Sequence, residues 1–216
     1  MQKIVIIGGH GNGAVIASTI EDCFASGQKI KCVGFLNDHN DNIDGYPVLG
    51  KINKNAWQEI DDEYFFVYAM STVKHAHERY KMLKQLSIPK ERFAKIIHPT
   101  AVVSKSAKIG EGAVLMPYTV VGPNVIISCH TQMFAQSFVG HDAVLNEMVF
   151  VANNATIGGY VKIDTGSHIG SNSSVIERVI IGAFSVIGLG SVVIKDVQPF
   201  TIVVGNPARF VRMIED

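Results

Sequence analysis

The chain has 216 residues, a length that suits one large domain or two small ones. Hydrophobic residues make up 47% and charged residues 18% of it, which is typical of a folded protein and excludes a disordered chain. Basic and acidic residues number 19 each. Because the chain lacks the excess positive charge that attracts nucleic acid or an anionic membrane, neither partner is expected.

The three cysteines, Cys23, Cys32 and Cys129, follow no disulfide or metal-binding pattern. An odd number of unpatterned cysteines indicates reduced thiols in a cytoplasmic protein. The apolar run at the N-terminus is too short for a signal peptide or a membrane span. The sequence therefore predicts a cytoplasmic location.

The first 96 residues alternate between strand and helix patterns. Buried strands are predicted at 3–8, 31–36 and 64–69, and helices at 14–20 and 72–86. Strands that alternate with helices predict a small parallel sheet.

A glycine-rich loop, GGHGNG at positions 8–13, joins the first predicted strand to the first helix. Main-chain N–H groups at a helix N-terminus attract phosphate, and glycine lets the phosphate approach. Asp38 follows the second strand and could hold a ribose or a base. Because 96 residues make only half a dinucleotide fold, a mononucleotide or nucleotide-sugar fits better than NAD. A loop that only turns the chain is the alternative.

From residue 97 onward, apolar residues recur at every sixth position, which we call the grid. All seventeen grid residues are apolar, and the residue four places after each is small or β-branched. They are Ile97, Val103, Ile109, Leu115, Val121, Ile127, Met133, Val139, Leu145, Val151, Ile157, Ile163, Ile169, Val175, Ile181, Ile187 and Val193. Since a six-residue period fits neither a helix nor a single strand, it predicts a prism of short strands joined by tight corners. Glycine directly follows the grid residue in seven cases, where it is expected to supply unusual turn dihedrals.

His141 is the histidine that this pattern favours as a catalytic group. It comes two places after a grid residue, where the side chain should face outward near a corner, and Asp142 follows it. Histidine, with an ordinary pKa of about 6.5, accepts protons near neutral pH, and a carboxylate can orient its ring. Asp142 can do so only if the corner bends the chain, because neighbouring strand residues point to opposite sides. Glu147 is the fallback partner.

The other histidines fit structural or solvated roles better. His75 and His77 are expected in solvent on the second helix, and His98 is expected to be structural at the domain junction. His10 lies in the glycine loop and could touch phosphate or sugar. His39, His130 and His168 lie in no motif.

The hexapeptide grid resembles that of the left-handed parallel β-helix acyltransferases. The whole chain resembles the bacterial sugar acyltransferases of the sialic acid O-acetyltransferase and UDP-4-amino-sugar N-acetyltransferase group, which includes GDP-perosamine N-acetyltransferases. This resemblance implies an α/β nucleotide-binding domain at 1–96 with a small parallel sheet. It also implies a left-handed parallel β-helix of hexapeptide repeats with a C-terminal cap at 97–216.

The resemblance also implies the site residues. His141 would be the general base and Asp142 its partner, and the co-substrate would be acetyl-CoA, with no metal. Nucleotide-sugar would contact Gly9, His10, Gly11, Asn12, Gly13, Asn37, Asp38 and Ser71. Acetyl-CoA would lie between adjacent prisms of a homotrimer, near Gly158, Gly159, Gly170, Gly188, Gly190, Lys195, Asn206, Pro207 and Arg209. Phe150 stands where one relative has a second histidine that contacts acetyl-CoA.

The expected function is acetyl-CoA-dependent N-acetylation of a nucleotide-linked 4-amino sugar by direct transfer, for surface glycan synthesis. UDP, GDP and dTDP sugars all remain open. A sialic acid-type O-acetyltransferase and a non-catalytic nucleotide-sugar binding module are the alternatives. A zinc lyase of the γ-carbonic anhydrase type shares the prism, but the spacing of the prism histidines at 98, 130, 141 and 168 does not match its metal site.

Overall fold

The chain begins with a five-stranded sheet in the order β3-β4-β2-β1-β5. The computed structural model describes residues 1–55, 57–58, 60 and 63–215. The strands are β1 (Gln2–Ile7), β2 (Ile30–Leu36), β3 (Asn42–Ile43), β4 (Tyr46–Gly50) and β5 (Tyr64–Tyr68). The helices are α1 (Asn12–Ala25), α2 (Ala76–Gln85) and a short 3-10 helix (Lys90–Arg92). Strand β1 pairs in parallel with β2 and β5, whereas β3 and β4 form an antiparallel hairpin.

The predicted sheet is present, with changes at its edges. Helix α1 is longer than the predicted 14–20 and begins inside the glycine loop, at Asn12, whereas α2 is shorter than the predicted 72–86. The hairpin of β3 and β4 was not predicted, because β3 has two residues and β4 contains Pro47. Strands this short, one of them containing a proline, show no alternation that would predict them.

The remaining strands form a prism with three faces. The chain visits them in the order face 1, face 2, face 3. Face 1 contains β6 (Ile96–Ile97), β9 (Val114–Leu115), β12 (Gln132–Met133), β15 (Phe150–Val151), β18 (His168–Ile169), β21 (Val186–Ile187), β23 (Thr201–Val204) and β24 (Arg209–Met213). Face 2 contains β7 (Val102–Val103), β10 (Val120–Val121), β13 (Phe138–Val139), β16 (Thr156–Ile157), β19 (Ser174–Val175) and β22 (Val192–Val193). Face 3 contains β8 (Lys108–Ile109), β11 (Ile126–Ile127), β14 (Val144–Leu145), β17 (Lys162–Ile163) and β20 (Ile180–Ile181).

Strands of one face pair in parallel at a separation of 18 residues, as Val102, Val120 and Phe138 do. The grid residues from Leu115 onward are buried along the axis and form one continuous apolar core. The expected fold class is confirmed: a small α/β parallel sheet followed by a parallel β-helix, consistent with a left-handed coil. Beyond the grid, β23 extends face 1 in parallel and β24 returns antiparallel to it. Within the described residues, no helix is long and apolar enough to span a membrane.

The expected reason for the glycines after grid residues is wrong. None of these seven glycines has a positive φ, whereas the third residue after the grid position does at every corner from Gly112 to Gly190. That third residue is glycine only at Gly112, Gly166 and Gly190, and elsewhere it is a residue such as Asn124 or Asp142. The seven glycines are instead needed for close approach, because a Cβ at Gly110 would lie 2.6 Å from the main-chain nitrogen of Cys129 in the next coil.

The N-terminal sheet packs on face 1 of the prism. Outward side chains of that face, including Ile96, Val114 and Phe150, join the apolar cluster formed by β1 and α1. The side-chain amide of Gln132, buried in this interface, donates to the main-chain oxygen of Tyr68 at 2.7 Å. This contact ties β5 to face 1.

Helix α2 lies along the corner between faces 3 and 1. The ring of His77 packs against Phe184 and Phe200, with centroid distances of 4.7 and 5.6 Å. Glu147 accepts from the Tyr80 hydroxyl at 3.0 Å and from Lys84 Nζ at 2.6 Å. The expectation that His77 is solvated is therefore wrong, because its helix packs against the prism.

Replacing Gly110 by Ala should destabilise the fold by about 1–3 kcal/mol, since the new methyl group would collide with main-chain atoms that cannot move independently. Thermal unfolding should show a midpoint lower by roughly 2–10 °C. Gly50→Ala is the matched control, because its Cβ would meet only Leu36 Cδ2, at an ordinary 3.5 Å. Equal midpoints for the two variants would contradict the close-approach explanation.

Candidate functional site

His141 lies at the corner between faces 2 and 3, three residues before β14. Since the chain visits the faces in order, this corner is opposite face 1, on which the N-terminal sheet packs. Its side chain is 56% exposed, so a substrate can reach it from outside the prism. The expected outward position is therefore observed.

The carboxylate of Asp142 does reach the imidazole of His141. Asp142 has a φ of 58°, and this left-handed residue bends the chain so that its Oδ2 lies 2.8 Å from Nδ1 of His141. Asn124, one coil earlier at the same corner, donates from its side-chain amide to Asp142 Oδ1 at 3.1 Å. Hydrogen bonds from His141 and then from Asn124 hold the pKa of Asp142 below its ordinary value, so it is a carboxylate at neutral pH. With Nδ1 donating to it, Nε2 is left as the basic nitrogen.

Glu147, the fallback partner, does not contact His141. Its carboxylate lies at the corner between faces 3 and 1, where it binds Tyr80 and Lys84 of α2. The alternative partner is therefore excluded by its position.

Gly159 and Tyr160 surround the imidazole from the next coil. A Cβ on Gly159 would lie 2.9 Å from His141 Nε2, so only glycine leaves room for the ring there. The ring of Tyr160 stands perpendicular to the imidazole at 5.1 Å, and the guanidinium of Arg178 stacks on Tyr160 at 4.4 Å. Gly158 and Gly159, expected near acetyl-CoA, are thus beside His141.

The other residues expected near acetyl-CoA lie in three places. Gly170, Gly188 and Gly190 lie at the corner between faces 1 and 2, on the edge of face 2 away from His141. Lys195 and Arg209 line one cavity of about 380 Å³ at the C-terminal end of the prism. Asn206 and Pro207 lie in the turn between β23 and β24.

The glycine loop opens onto a cavity of about 340 Å³. Gly9, His10, Asn12, Asn37, Asp38 and Ser71, all expected to bind substrate, line it. The side-chain amide of Asn12 donates to the main-chain oxygen of Ser71 at 3.1 Å, which joins the two sides of the cavity. Gly11 and Gly13 are not in its lining: Gly11 precedes α1 with a φ of 78°, and Gly13 packs against Phe35.

Asn37 and Asp38 have different freedom to bind a ligand. The side chain of Asn37 is engaged within the loop, because it donates to the Gly8 oxygen and accepts from the main-chain nitrogens of His39 and Asn40. Asp38 accepts from the Ile52 nitrogen through Oδ1 at 2.9 Å. Its second carboxylate oxygen makes Asp38 the better candidate for contacting a base or ribose.

Sequence reasoning missed that α2 forms part of this cavity. His75 and Arg79 line it from the helix, and His75 is paired with Glu78 at 2.9 Å rather than only solvated. His75 and Arg79 are four residues apart, which places them on one helical face. This spacing was visible in the sequence, but the packing of α2 beside the glycine loop was not.

Phe150 and two histidines lie inside the protein instead of at the His141 corner. Phe150 stacks on His168, with centroids 4.6 Å apart and an interplanar angle of 6°, on the side of face 1 that meets the N-terminal sheet. Burial lowers the pKa of His168 to about 4 and that of His130 also to about 4. Among the described residues, no cluster of histidine, cysteine and carboxylate side chains could hold a metal ion.

The described fold matches solved structures over almost its whole length. The acetyltransferase domain of PglB from Neisseria gonorrhoeae FA1090 is 25% identical, with a TM-score of 0.83 over 98% of this chain and 100% of that one. That domain has also been solved in complex with acetyl coenzyme A. A variant of GDP-perosamine N-acetyltransferase from Caulobacter crescentus, in complex with CoA and GDP-perosamine, is 24% identical with a TM-score of 0.81 over 97% of both chains.

The N-terminal part of the chain also matches a family model. Residues 3–83 match the model described as the PglD N-terminal domain. Together with the match to PglB, this match confirms the predicted resemblance to nucleotide-sugar N-acetyltransferases of the hexapeptide-repeat group.

The curated relatives match only part of the chain. An acyl-[acyl-carrier-protein]–UDP-N-acetylglucosamine O-acyltransferase from Pseudomonas savastanoi pv. phaseolicola is 35% identical over 80 residues. The match covers 37% of this chain and 31% of that protein, so the chain spans about a third of the length of such a relative.

Replacing His168 by Phe should make stability less sensitive to acid. The folded state keeps His168 neutral down to about pH 4, whereas the unfolded chain binds a proton below about pH 6.5. Unfolding therefore takes up one proton in this window, and stability falls by about 1.4 kcal/mol per pH unit for each such group as the pH falls.

Urea unfolding between pH 6.5 and 4.5 measures this slope. In His168→Phe, the new ring can still stack on Phe150. The change in unfolding free energy per pH unit should become smaller by about the contribution of one proton, and His130 should supply the rest of the change. An unchanged slope would show that His168 is protonated in the folded protein.

Proposed function

We propose that this protein is an acetyl-CoA-dependent N-acetyltransferase that acetylates the amino group of a nucleotide-linked sugar in the cytoplasm. The observation that carries the proposal is the exposed imidazole of His141, held 2.8 Å from the Asp142 carboxylate at an open corner of the prism. A 4-amino-4,6-dideoxy sugar linked to UDP, GDP or dTDP is the proposed substrate class. The resemblance to the sugar acetyltransferases described above supports it.

In the proposed reaction, the neutral sugar amine attacks the thioester carbonyl of acetyl-CoA. Nε2 of His141 accepts the proton that the amine loses, and Asp142 stabilises the imidazolium through Nδ1. The tetrahedral intermediate then collapses, the C–S bond breaks, and the leaving thiolate takes the proton from His141. A main-chain N–H of the coil beside the ring, such as that of Gly159, would donate to the carbonyl oxygen as it gains charge.

We further propose that each active site needs two chains of a homotrimer. In one chain, His141 and the glycine-loop cavity lie on opposite sides of the prism. The glycines expected near acetyl-CoA also divide between the two edges of face 2. In a trimer, the edge of face 2 that carries His141 in one prism would lie next to the opposite edge of face 2, near Gly170, in the neighbouring prism. Acetyl-CoA would then lie between the two edges.

A cytoplasmic location suits the thiol chemistry. Cys23, Cys32 and Cys129 are free, and burial raises the pKa of Cys23 and of Cys32 to about 11. Sialic acid-type O-acetylation is the second candidate function, because His141 could also deprotonate a hydroxyl. The resemblance to N-acetyltransferases favours an amine, and the choice of acceptor in the assay below separates the two.

Acetyl transfer is expected from acetyl-CoA to one of a panel of UDP-, GDP- and dTDP-linked 4-amino sugars. The measurement is the rate at which the CoA thiol is released. His141→Ala should lower kcat by about 100-fold or more, because a general base contributes roughly that factor. Turnover of sialic acid alone would overturn the N-acetyl assignment. Full activity of His141→Ala would overturn the role of the base.

Asp142→Asn has a matched control in Asp164→Asn. Each carboxylate accepts from an asparagine one coil earlier, Asp142 from Asn124 at 3.1 Å and Asp164 from Asn146 at 2.8 Å. Only Asp142 also holds a histidine, so only its variant should lose activity.

If the active site is shared between chains, mixing two inactive variants should restore activity. His141→Ala removes the base, and Ser71→Trp fills the glycine-loop cavity while leaving the main-chain bond to Asn12 in place. Co-expressed in equal amounts, the two chains should give roughly a quarter of wild-type activity, because random mixing pairs the intact halves at that frequency. No recovery in isolated mixed oligomers would show that each chain forms its site alone.

A further inference from the structure

The cavity at the glycine loop lies between the N-termini of two helices. Helix α1 begins at Asn12, after Gly11, and α2 begins at Ala76, after His75, and neither helix has a side-chain cap. Asn12 and His75 both line the cavity. Helix N-termini carry partial positive charge and unpaired N–H groups, so the cavity favours an anion.

The guanidinium of Arg79 is the fixed positive charge in this cavity. Among the described residues, no carboxylate pairs with it, and its Nη1 contacts the sulfur of Met82 at 3.6 Å. Two of the imidazoles that line the same cavity differ, because His10 faces Asp44 at 3.4 Å and His75 faces Glu78 at 2.9 Å. A half-buried arginine without an acidic partner can bind an anionic ligand.

The position of Arg79 is held by its main chain rather than by its side chain. The hydroxyl of Tyr68, a fully buried residue of β5, donates to the main-chain oxygen of Arg79 at 2.8 Å. Substituting the arginine side chain leaves this bond intact. Arg79 therefore projects from a point of α2 that β5 holds in place, and loss of its side chain should not disturb the fold.

We propose that Arg79 binds the diphosphate of the nucleotide-sugar and is the residue that distinguishes a nucleoside diphosphate from the nucleoside. This inference rests on the proposed nucleotide-sugar substrate. Asp38 lies on the wall of the same cavity, so a nucleotide spanning it would place a base or ribose at the carboxylate and its phosphates at the guanidinium. Repulsion between Asp38 and the diphosphate fixes that direction. The planar guanidinium can donate two parallel hydrogen bonds to one phosphate, which a lysine cannot do.

Isothermal titration of the full chain with UDP, GDP and dTDP, and with uridine, guanosine and thymidine, tests the proposal. Arg79→Gln should weaken binding of the preferred diphosphate by about tenfold or more, because a charge-assisted hydrogen bond to a phosphate is lost. Binding of the matching nucleoside should not change. The affinity of Arg79→Lys for the diphosphate should lie between those of wild type and Arg79→Gln, since lysine keeps the charge but cannot donate two parallel hydrogen bonds to one phosphate. Lys81→Gln, which removes an exposed charge from the same helix outside the cavity, should bind like wild type.

The outcomes separate this inference from the proposed function. If wild type binds a diphosphate and Arg79→Gln binds it equally well, Arg79 is not the phosphate ligand, while the nucleotide-sugar proposal stands. If Arg79→Gln weakens nucleoside and diphosphate equally, Arg79 supports the cavity without recognising phosphate, which also overturns the inference. If wild type binds none of the six compounds, the nucleotide-sugar proposal fails and this inference fails with it. An unchanged melting midpoint for Arg79→Gln establishes that any loss concerns the ligand.

Discussion

The structure depends on how closely successive coils of the prism approach each other. Parallel strands stack at a fixed separation of 18 residues, and the glycines that follow grid residues lie close against the next coil. At Gly110, Gly140 and Gly170 there is no room for a Cβ. The core, the corners and the positions of all outward side chains follow from this stacking, because a coil that moved outward would lose its hydrogen bonds to both neighbours.

The same stacking builds the proposed catalytic pair. A left-handed residue closes every corner from Gly112 to Gly190, and at this corner the residue is Asp142, which turns its carboxylate back to the preceding imidazole. Asn124 from the coil before bonds the carboxylate, and Gly159 from the coil after leaves space for the ring. The left-handed conformation that closes the other corners thus orients the proposed base at this one.

Much of the fold could be predicted from the sequence, because the grid repeats over seventeen positions and its physical cause is burial along one axis. The outward position of His141 follows from the same register. The role of the glycines after grid residues could not be predicted. A period shows where a small residue lies, but not whether a positive φ or the approach of a neighbouring coil requires it. The position of Arg79 in the glycine-loop cavity and the docking of His77 on Phe184 could not be predicted either, because contacts of the helix with the sheet and the prism leave no periodic signal.

The repeat has a consequence for how far the base can lie from the nucleotide cavity. Positions 123, 159 and 177 occupy the same place as His141 in other coils, and each step between coils rises by about 4.8 Å, the spacing of paired strands. A base placed on such a prism can therefore be shifted along the axis only in whole steps of that size. The coil that carries the proposed base therefore sets, in steps of one coil, how far the proposed substrate must extend from the cavity to reach it.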